Sequence, residues 1–143
     1  MNAAGTTSGR RWALAWAALC TAFALHVLDE AANDFLSWYN PNALAIRDRV
    51  PWLPVPVFTF RAWITGLTVA IVALAALTPF ARRRRRWLVP IAYAYGLVHV
   101  ANGIAHIAVS ISGGWLAPGV YSTPILLAAA TWLLYETGRQ RRS

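Results

Sequence analysis

The stretch Trp12–Ala32, WALAWAALCTAFALHVLDEAA, decides the fold class of this chain, because a helix of about 20 mostly apolar residues crosses a membrane. Two basic residues, Arg10 and Arg11, precede it, as they would in a secretory signal peptide. The apolar stretch is longer than the ~7–15 residues of a signal-peptide core, and no small-x-small cleavage site leads into a soluble domain. We therefore expect an uncleaved membrane helix.

The composition agrees with a membrane protein. Of the 143 residues, 58% are hydrophobic and 13% are charged, which is too apolar for an ordinary soluble domain. We expect one integral membrane domain over residues 1–143. The single cysteine, Cys20, lies within the first apolar stretch and excludes an internal disulfide.

Four apolar stretches predict four spanning helices. Besides Trp12–Ala32, these are Arg61–Phe80, Trp87–Ser110 and Gly119–Tyr135, of which the last is the shortest. The predicted fold is all-α, a four-helix transmembrane bundle with one long extracytoplasmic loop.

The arginines predict the orientation of this bundle. All 13 basic residues are arginines, and ten of them fall before the first predicted helix, between the second and third, or at the C-terminal end: Arg10, Arg11, Arg82–Arg86, Arg139, Arg141 and Arg142. The positive-inside rule then places both termini in the cytoplasm, in a multi-pass protein of the cell membrane. The net charge of +8 also suits nucleic acid, but arginines at the ends of apolar stretches indicate a lipid bilayer as the partner and no nucleic acid.

The long outer connection, Asn33–Phe60, allows two interpretations. Its prolines disfavour a continuous helix, and its aromatic residues disfavour full solvation. The segment either lies along the outer membrane interface or folds as a lid over the mouth of the bundle.

Polar residues inside two predicted spans mark the candidate site. An acidic residue at the centre of a membrane helix costs ~2.5–3.5 kcal/mol on insertion scales, so such residues need a partner or a function. His26, Asp29 and Glu30 share one face of the first helix, at positions i, i+3 and i+4. The third predicted helix carries three more on one face, at i, i+3 and i+7: His99, Asn102 and His106.

Helical rise brings the two groups to the same depth. At 1.5 Å per residue, His26 lies about 21 Å and Glu30 about 27 Å from the start of the first helix. By the same rise His99 lies about 18 Å and His106 about 28 Å from the start of the third. We therefore expect a shared polar pocket in the outer half of the membrane.

Small residues continue both polar faces toward the cytoplasm. They predict that the first and third helices pack directly against each other below the pocket, because small side chains let membrane helices approach closely. These residues are Ala15, Ala18 and Ala22 on the first helix and Ala92, Gly96 and Gly103 on the third. On the fourth helix, Ser122 and Thr123 either extend the polar lining or bond to their own backbone.

The pattern His26-x-x-Asp29-Glu30, followed by Asn102-x-x-x-His106, resembles the HXXEE family of small integral membrane proteins. That family is of uncharacterised function, and the resemblance implies catalytic activity. The resemblance covers both motifs and the whole four-helix region. Asp29 stands where the family name has glutamate, which keeps the carboxylate and shortens its reach by one methylene. His99 lies outside both motifs.

Two chemistries suit these residue types. His26, Glu30 and His106 are a ligand set for a divalent metal such as zinc or iron, although the paired Glu-x-x-His motifs of di-iron bundles are missing. Alternatively, a carboxylate beside an imidazole in an apolar pocket supports acid–base catalysis. Either would act on a small lipid-soluble molecule. The sequence contains no Gly-x-Ser-x-Gly motif, so it does not indicate covalent acyl transfer.

Two non-enzymatic interpretations stay open. In the first, the protein is a structural or interaction subunit, and its polar residues form interhelical hydrogen bonds worth ~0.6–2 kcal/mol each. In the second, the protein is a proton-coupled transporter. Four short helices without inverted repeats form only a small translocation path, unless the chain is a homo-oligomer. We favour an enzyme, because all three histidines fall in one place. The sequence leaves the substrate, the reaction, the metal and the oligomeric state open.

Overall fold

The computed structural model describes residues 3–142, which are helical over most of their length and contain no strand. The helices are α1 (Ala3–Ala32), α2 (Phe35–Arg49), α3 (Phe60–Ala76), α4 (Thr78–Arg82), α5 (Leu88–Gly113) and α6 (Thr123–Arg142). The predicted all-α class is confirmed.

Three segments are long and apolar enough to cross a membrane: Thr7–Ala32, Phe60–Arg82 and Leu88–Gly113. They correspond to the first three predicted spans. Only 6% of the most apolar part of Phe60–Arg82 is buried inside the protein, so its apolar side chains lie on the surface.

The fourth predicted helix, Gly119–Tyr135, begins later than expected. Residues 118–122 form a turn, and α6 starts at Thr123. Gly119 has a φ of +88°, in the left-handed region, so it cannot begin a right-handed helix. The last turns of α6 carry Glu136, Arg139 and Arg141, which lower its hydropathy, and α6 is not among the candidate spans of the described chain.

The long connection is not one continuous helix, as its prolines indicate, but it contains a helix over residues 35–49 that sequence reasoning missed. Pro41 lies inside α2, where it removes one backbone hydrogen bond. The helix is tied to the non-helical residues 50–59 that follow it: the Asn40 side chain donates to the Phe58 carbonyl at 2.9 Å and accepts from the Phe58 N–H at 3.0 Å. The remaining prolines of the connection fall in that non-helical segment.

The prediction that the small-residue faces of the first and third spans pack against each other is wrong. Instead, α6 packs along both α1 and α5, while α1 and α5 approach each other at few positions. A Cβ placed on Gly96 would lie 2.7 Å from Leu134 of α6, and one on Gly103 would lie 2.7 Å from Leu127. The glycines of α5 therefore admit the leucines of α6.

Large aromatic side chains account for the separation of α1 and α5. The ring of Trp16 on α1 lies 5.4 Å from that of Tyr95 on α5, and the ring of Phe23 lies 4.4 Å from that of His99. Rings of this size fill the space between the two backbones and hold them apart.

The three basic segments of the chain meet at one end of the bundle, which we call the Arg-rich end. Gln140 donates to the Ser8 hydroxyl at 2.8 Å and accepts from Nε of Arg84 at 2.5 Å. Arg11 forms an ion pair of 3.2 Å with the buried Glu136. These contacts join the start of α1, the turn before α5 and the end of α6.

Candidate functional site

The polar residues of α1 and α5 meet in a buried cluster far from the Arg-rich end. His26 is 1% exposed, and Glu30 and His106 are each 6% exposed. We call these three residues, together with Asn102, the polar cluster. Helical spacing aligns each pair on its own helix, so the packing brings Asn102 opposite His26 and His106 opposite Glu30.

Hydrogen bonds to both ring nitrogens orient His26, and the placement of the Asn102 amide assigns its tautomer. The Asn102 amide nitrogen lies 2.8 Å from Nε2 of His26, and because an amide N–H can only donate, Nε2 accepts. Nδ1 therefore carries the proton and donates to the Ser122 hydroxyl at 2.8 Å. The lone pair of Nε2 thus points toward the side on which Asn102 and Glu30 lie.

Glu30 lies between two imidazoles. Its Oε1 atom is 3.2 Å from Nε2 of His106 and 3.6 Å from Nε2 of His26. The two rings are arranged edge to face, with centroids 4.8 Å apart. His26, Glu30 and His106 offer donor atoms that all lie within 4.8 Å of one another, and no other such group of three occurs in the part of the chain that the structure describes.

Asp29 belongs to a second layer behind His26. Its Oδ2 atom accepts from the Ser122 backbone N–H and from the Ser122 hydroxyl, both at 2.8 Å, and its Oδ1 atom accepts from the Asn33 amide at 2.8 Å. A continuous chain of hydrogen bonds therefore runs from Asn102 through His26 and Ser122 to Asp29. The carboxylate orients His26 through a hydroxyl instead of contacting it.

Gly119 is required by both the backbone and the space at this site. Its φ of +88° disfavours any other residue type. A Cβ on it would lie 2.8 Å from Cε1 of His106, 2.9 Å from Cε1 of His26 and 3.0 Å from Cγ of Glu30. The turn therefore presses its backbone against the cluster and closes one side of it.

His99 does not join the polar cluster. Its Nδ1 atom lies 2.9 Å from the Tyr95 carbonyl oxygen, one turn earlier on α5, and its ring packs edge to face against Phe23 and Tyr95, at 4.4 and 4.8 Å. A catalytic role for His99 stays a prediction from the sequence, and its contacts are those of aromatic packing.

A cavity of about 200 Å³ lies beside the polar cluster. Asn102 and His106 supply its polar wall, and the remaining lining consists of apolar and aromatic side chains from α2, α5 and the segment after α5: Phe35, Trp38, Tyr39, Ala105, Val109 and Ala117. The outer connection thus contributes through α2 to the wall of the cavity, which favours the lid interpretation over a purely interfacial segment.

Sequence reasoning missed two residues of this site, Gly119 and Asn33, and left the role of a third, Ser122, open. The role of Gly119 could have been inferred from the dipeptide Pro118-Gly119, because this pair favours a turn and argues against a helix start. Ser122 was one of two hydroxyls expected to line the pocket or bond to the backbone, and only Ser122 reaches the cluster, since Thr123 donates to the Gly119 carbonyl at 2.9 Å. Asn33 and its bond to Asp29 had no signal in the sequence.

Comparison with known proteins identifies the family alone. No curated protein and no solved structure matches the chain. The family model described as "Protein of unknown function with HXXEE motif" matches residues 16–133, which include both motifs and every residue of the polar cluster. The chain belongs to the HXXEE family.

Proposed function

We propose that this protein is a membrane-embedded enzyme that acts on a small lipid-soluble molecule. One observation carries the proposal: Asn102 and His106 belong to the buried polar cluster and also form the polar wall of an otherwise apolar cavity. An apolar pocket with a few convergent polar groups is the usual form of a small-molecule site. Ionisable residues buried within membrane helices mark functional sites by default.

The proposed setting is a multi-pass, four-helix protein of the cell membrane with both termini in the cytoplasm. The meeting of the basic segments at the Arg-rich end supports it, because arginines concentrate on the cytoplasmic side. With α6 as the fourth span, the polar cluster then lies in the outer half of the bilayer. A lipid-soluble substrate would reach the cavity from the surrounding lipid.

Acid–base catalysis is the chemistry that the hydrogen bonds favour. Nε2 of His26 is unprotonated and lies on the side of the cluster that holds Glu30 and His106, so it is available to accept a proton once Asn102 turns aside. The positive charge formed on the ring would be stabilised by Asp29 through Ser122. Glu30, bonded to His106, supplies the second proton-transfer group.

Metal-assisted catalysis is a second candidate, favoured by the donor set. Zinc with bonds of ~2.0–2.1 Å to its ligands places neighbouring tetrahedral donors about 3.3 Å apart. Glu30 already lies 3.2 Å from His106 and 3.6 Å from His26, so two of the three separations are suitable. His26, Glu30 and His106 would hold the ion, and the ion would polarise a substrate oxygen or a water molecule.

Analysis of the purified protein tests these proposals. We expect wild-type protein in detergent to carry a small apolar compound that a folded His106→Ala variant loses. One equivalent of zinc or iron that disappears in His26→Ala would select the metal-assisted chemistry, and trace metal unaffected by this change would select the acid–base chemistry.

A core variant separates loss of the site from loss of the fold. Leu126→Ala removes a fully buried leucine and leaves the polar residues intact. If His26→Ala and His106→Ala only destabilise the bundle, as Leu126→Ala does, and retain the compound, then the cluster consists of structural hydrogen bonds. Proton-gradient-dependent uptake into liposomes would instead identify a transporter.

A further inference from the structure

Two adjoining cavities lie at the Arg-rich end, at the opposite end of the bundle from the polar cluster. The first has a volume of about 270 Å³ and is lined by Trp12, Arg84, Arg86, Val89 and Gln140. The second has a volume of about 340 Å³ and shares three of these residues, to which it adds Pro90 and Arg141. The shared lining makes them two parts of one cleft.

The charge of this cleft is entirely positive. Arg84, Arg86 and Arg141 line it, and no acidic residue does among the residues that the structure describes. The acidic residue of the last turns of α6, Glu136, pairs with Arg11. Guanidinium groups bind phosphate and carboxylate oxygens through parallel hydrogen bonds, so three of them around one cleft suit an oxyanion such as a phosphate group.

The turn that carries Arg84 is held in a strained conformation. Arg84 has a φ of +53°, which non-glycine residues rarely adopt. Its side chain is fixed by Gln140, whose amide is in turn fixed by Ser8, so contacts from two helices maintain the strain. Such strained residues cluster at ligand-binding sites, because the surrounding structure must be built to hold them.

The five consecutive arginines are not equivalent in the structure. Arg84, which is half-buried, and Arg86, which is exposed, line the cleft. Arg82, Arg83 and Arg85 are also exposed but line neither part of it. The positive-inside rule depends on the number of charges and treats all five alike. A binding site in the cleft would instead depend on Arg84 and Arg86 and not on the other three arginines.

We infer that this cleft binds the phosphate group of an anionic phospholipid. The arginines contact the phosphate, and the side chains of Val89 and Pro90, with the buried Trp12 behind them, give the cleft an apolar wall suited to the glycerol and acyl portion. Inorganic phosphate offers the same oxygens without that apolar portion. The inference does not depend on the chemistry of the polar cluster.

Lipid retention measured by native mass spectrometry tests this inference. The full chain is incubated in detergent micelles with phosphatidylglycerol or phosphatidylcholine, and the detergent is then removed in the mass spectrometer. We expect the wild type to retain phosphatidylglycerol selectively and the double variant Arg84→Gln/Arg86→Gln to retain it about tenfold less. The matched control, Arg83→Gln/Arg85→Gln, removes the same charge and should retain it like the wild type.

Two results would overturn the inference. Equal losses in the two double variants would mean that only net charge matters, and displacement of the lipid by millimolar inorganic phosphate would reassign the cleft to a free anion. The single variant Arg86→Gln leaves the Arg84 to Gln140 bond in place, so it reports on binding even if the double variant misfolds. It should also retain less phosphatidylglycerol than Arg85→Gln.

Discussion

Of all glycine-to-alanine substitutions in the chain, Gly119→Ala should disturb the polar cluster most. The substitution meets two obstacles, since φ at this position is +88° and the new Cβ would lie 2.8 to 3.0 Å from atoms of His106, His26 and Glu30. Carbon atoms in contact prefer separations of about 3.5–4.0 Å, so all three side chains must shift.

The magnitude can be divided between these obstacles. A left-handed conformation costs an alanine ~1–2 kcal/mol, and overpacking of a filled interior costs a further ~1–3 kcal/mol. Gly119→Ala should therefore reduce the free energy of unfolding by about 2–5 kcal/mol.

Gly114 provides a control for the backbone contribution. It also has a positive φ, of +65°, but a Cβ placed there meets no atom within 4 Å. Gly114→Ala should therefore cost only about 1–2 kcal/mol. The difference between the two variants isolates the contact with the cluster.

Unfolding in mixed micelles, followed by tryptophan fluorescence, measures both variants, and the amount of co-purified apolar compound is determined on the same samples. We expect Gly119→Ala to be the less stable of the two and to lose the compound. Equal stability of the two variants, with the compound retained in both, would refute the proposed contact of the turn with the cluster.

Three further predictions concern other contacts of the site and the bundle. Asp29→Glu, which restores the residue of the family motif, should lose about 1–3 kcal/mol of unfolding free energy, because a longer side chain overreaches the two 2.8 Å bonds from Ser122; unchanged stability would contradict this geometry. Trp12→Phe and Thr137→Val should together cost about 0.5–1.5 kcal/mol less than the sum of their separate costs, since both remove the same 2.9 Å hydrogen bond, while Thr137→Val also removes the 2.7 Å bond to the Leu133 carbonyl; a double-mutant cycle checks this, and additive effects would exclude the shared bond. Phe35→Ala enlarges the cavity at its α2 wall and should weaken retention of the co-purified compound without unfolding the protein, and unchanged retention would separate α2 from the binding site.

The pairing of the polar residues could be predicted because it depends only on regular helix geometry. Helical rise set the level of each group and helical periodicity set its face, and both quantities are fixed once a segment spans a membrane. The contacts of His26 with Asn102 and of Glu30 with His106 follow from them. The same geometry could not predict that Asp29 contacts Ser122 while Glu30 contacts His106, because adjacent residues on one helix face point toward different neighbours.

The neighbours of each helix could not be predicted. Small residues on α5 indicate that some helix approaches closely, but they do not name it, and the glycines Gly96 and Gly103 receive leucines of α6 instead of α1. The helix α2 was missed because Pro41 argues locally against it, while the contacts with Phe58 that support it are 18 residues away. Tertiary contacts decided both cases.

Lipid extracts of cells that produce this protein test the proposed enzyme most directly. Cells with wild-type protein are compared by mass spectrometry with cells that accumulate His106→Ala in their membranes to the same level. We predict that one lipid-soluble species falls and a related species rises in the wild type alone. Identical extracts from the two cell populations would contradict an enzymatic role for the polar cluster.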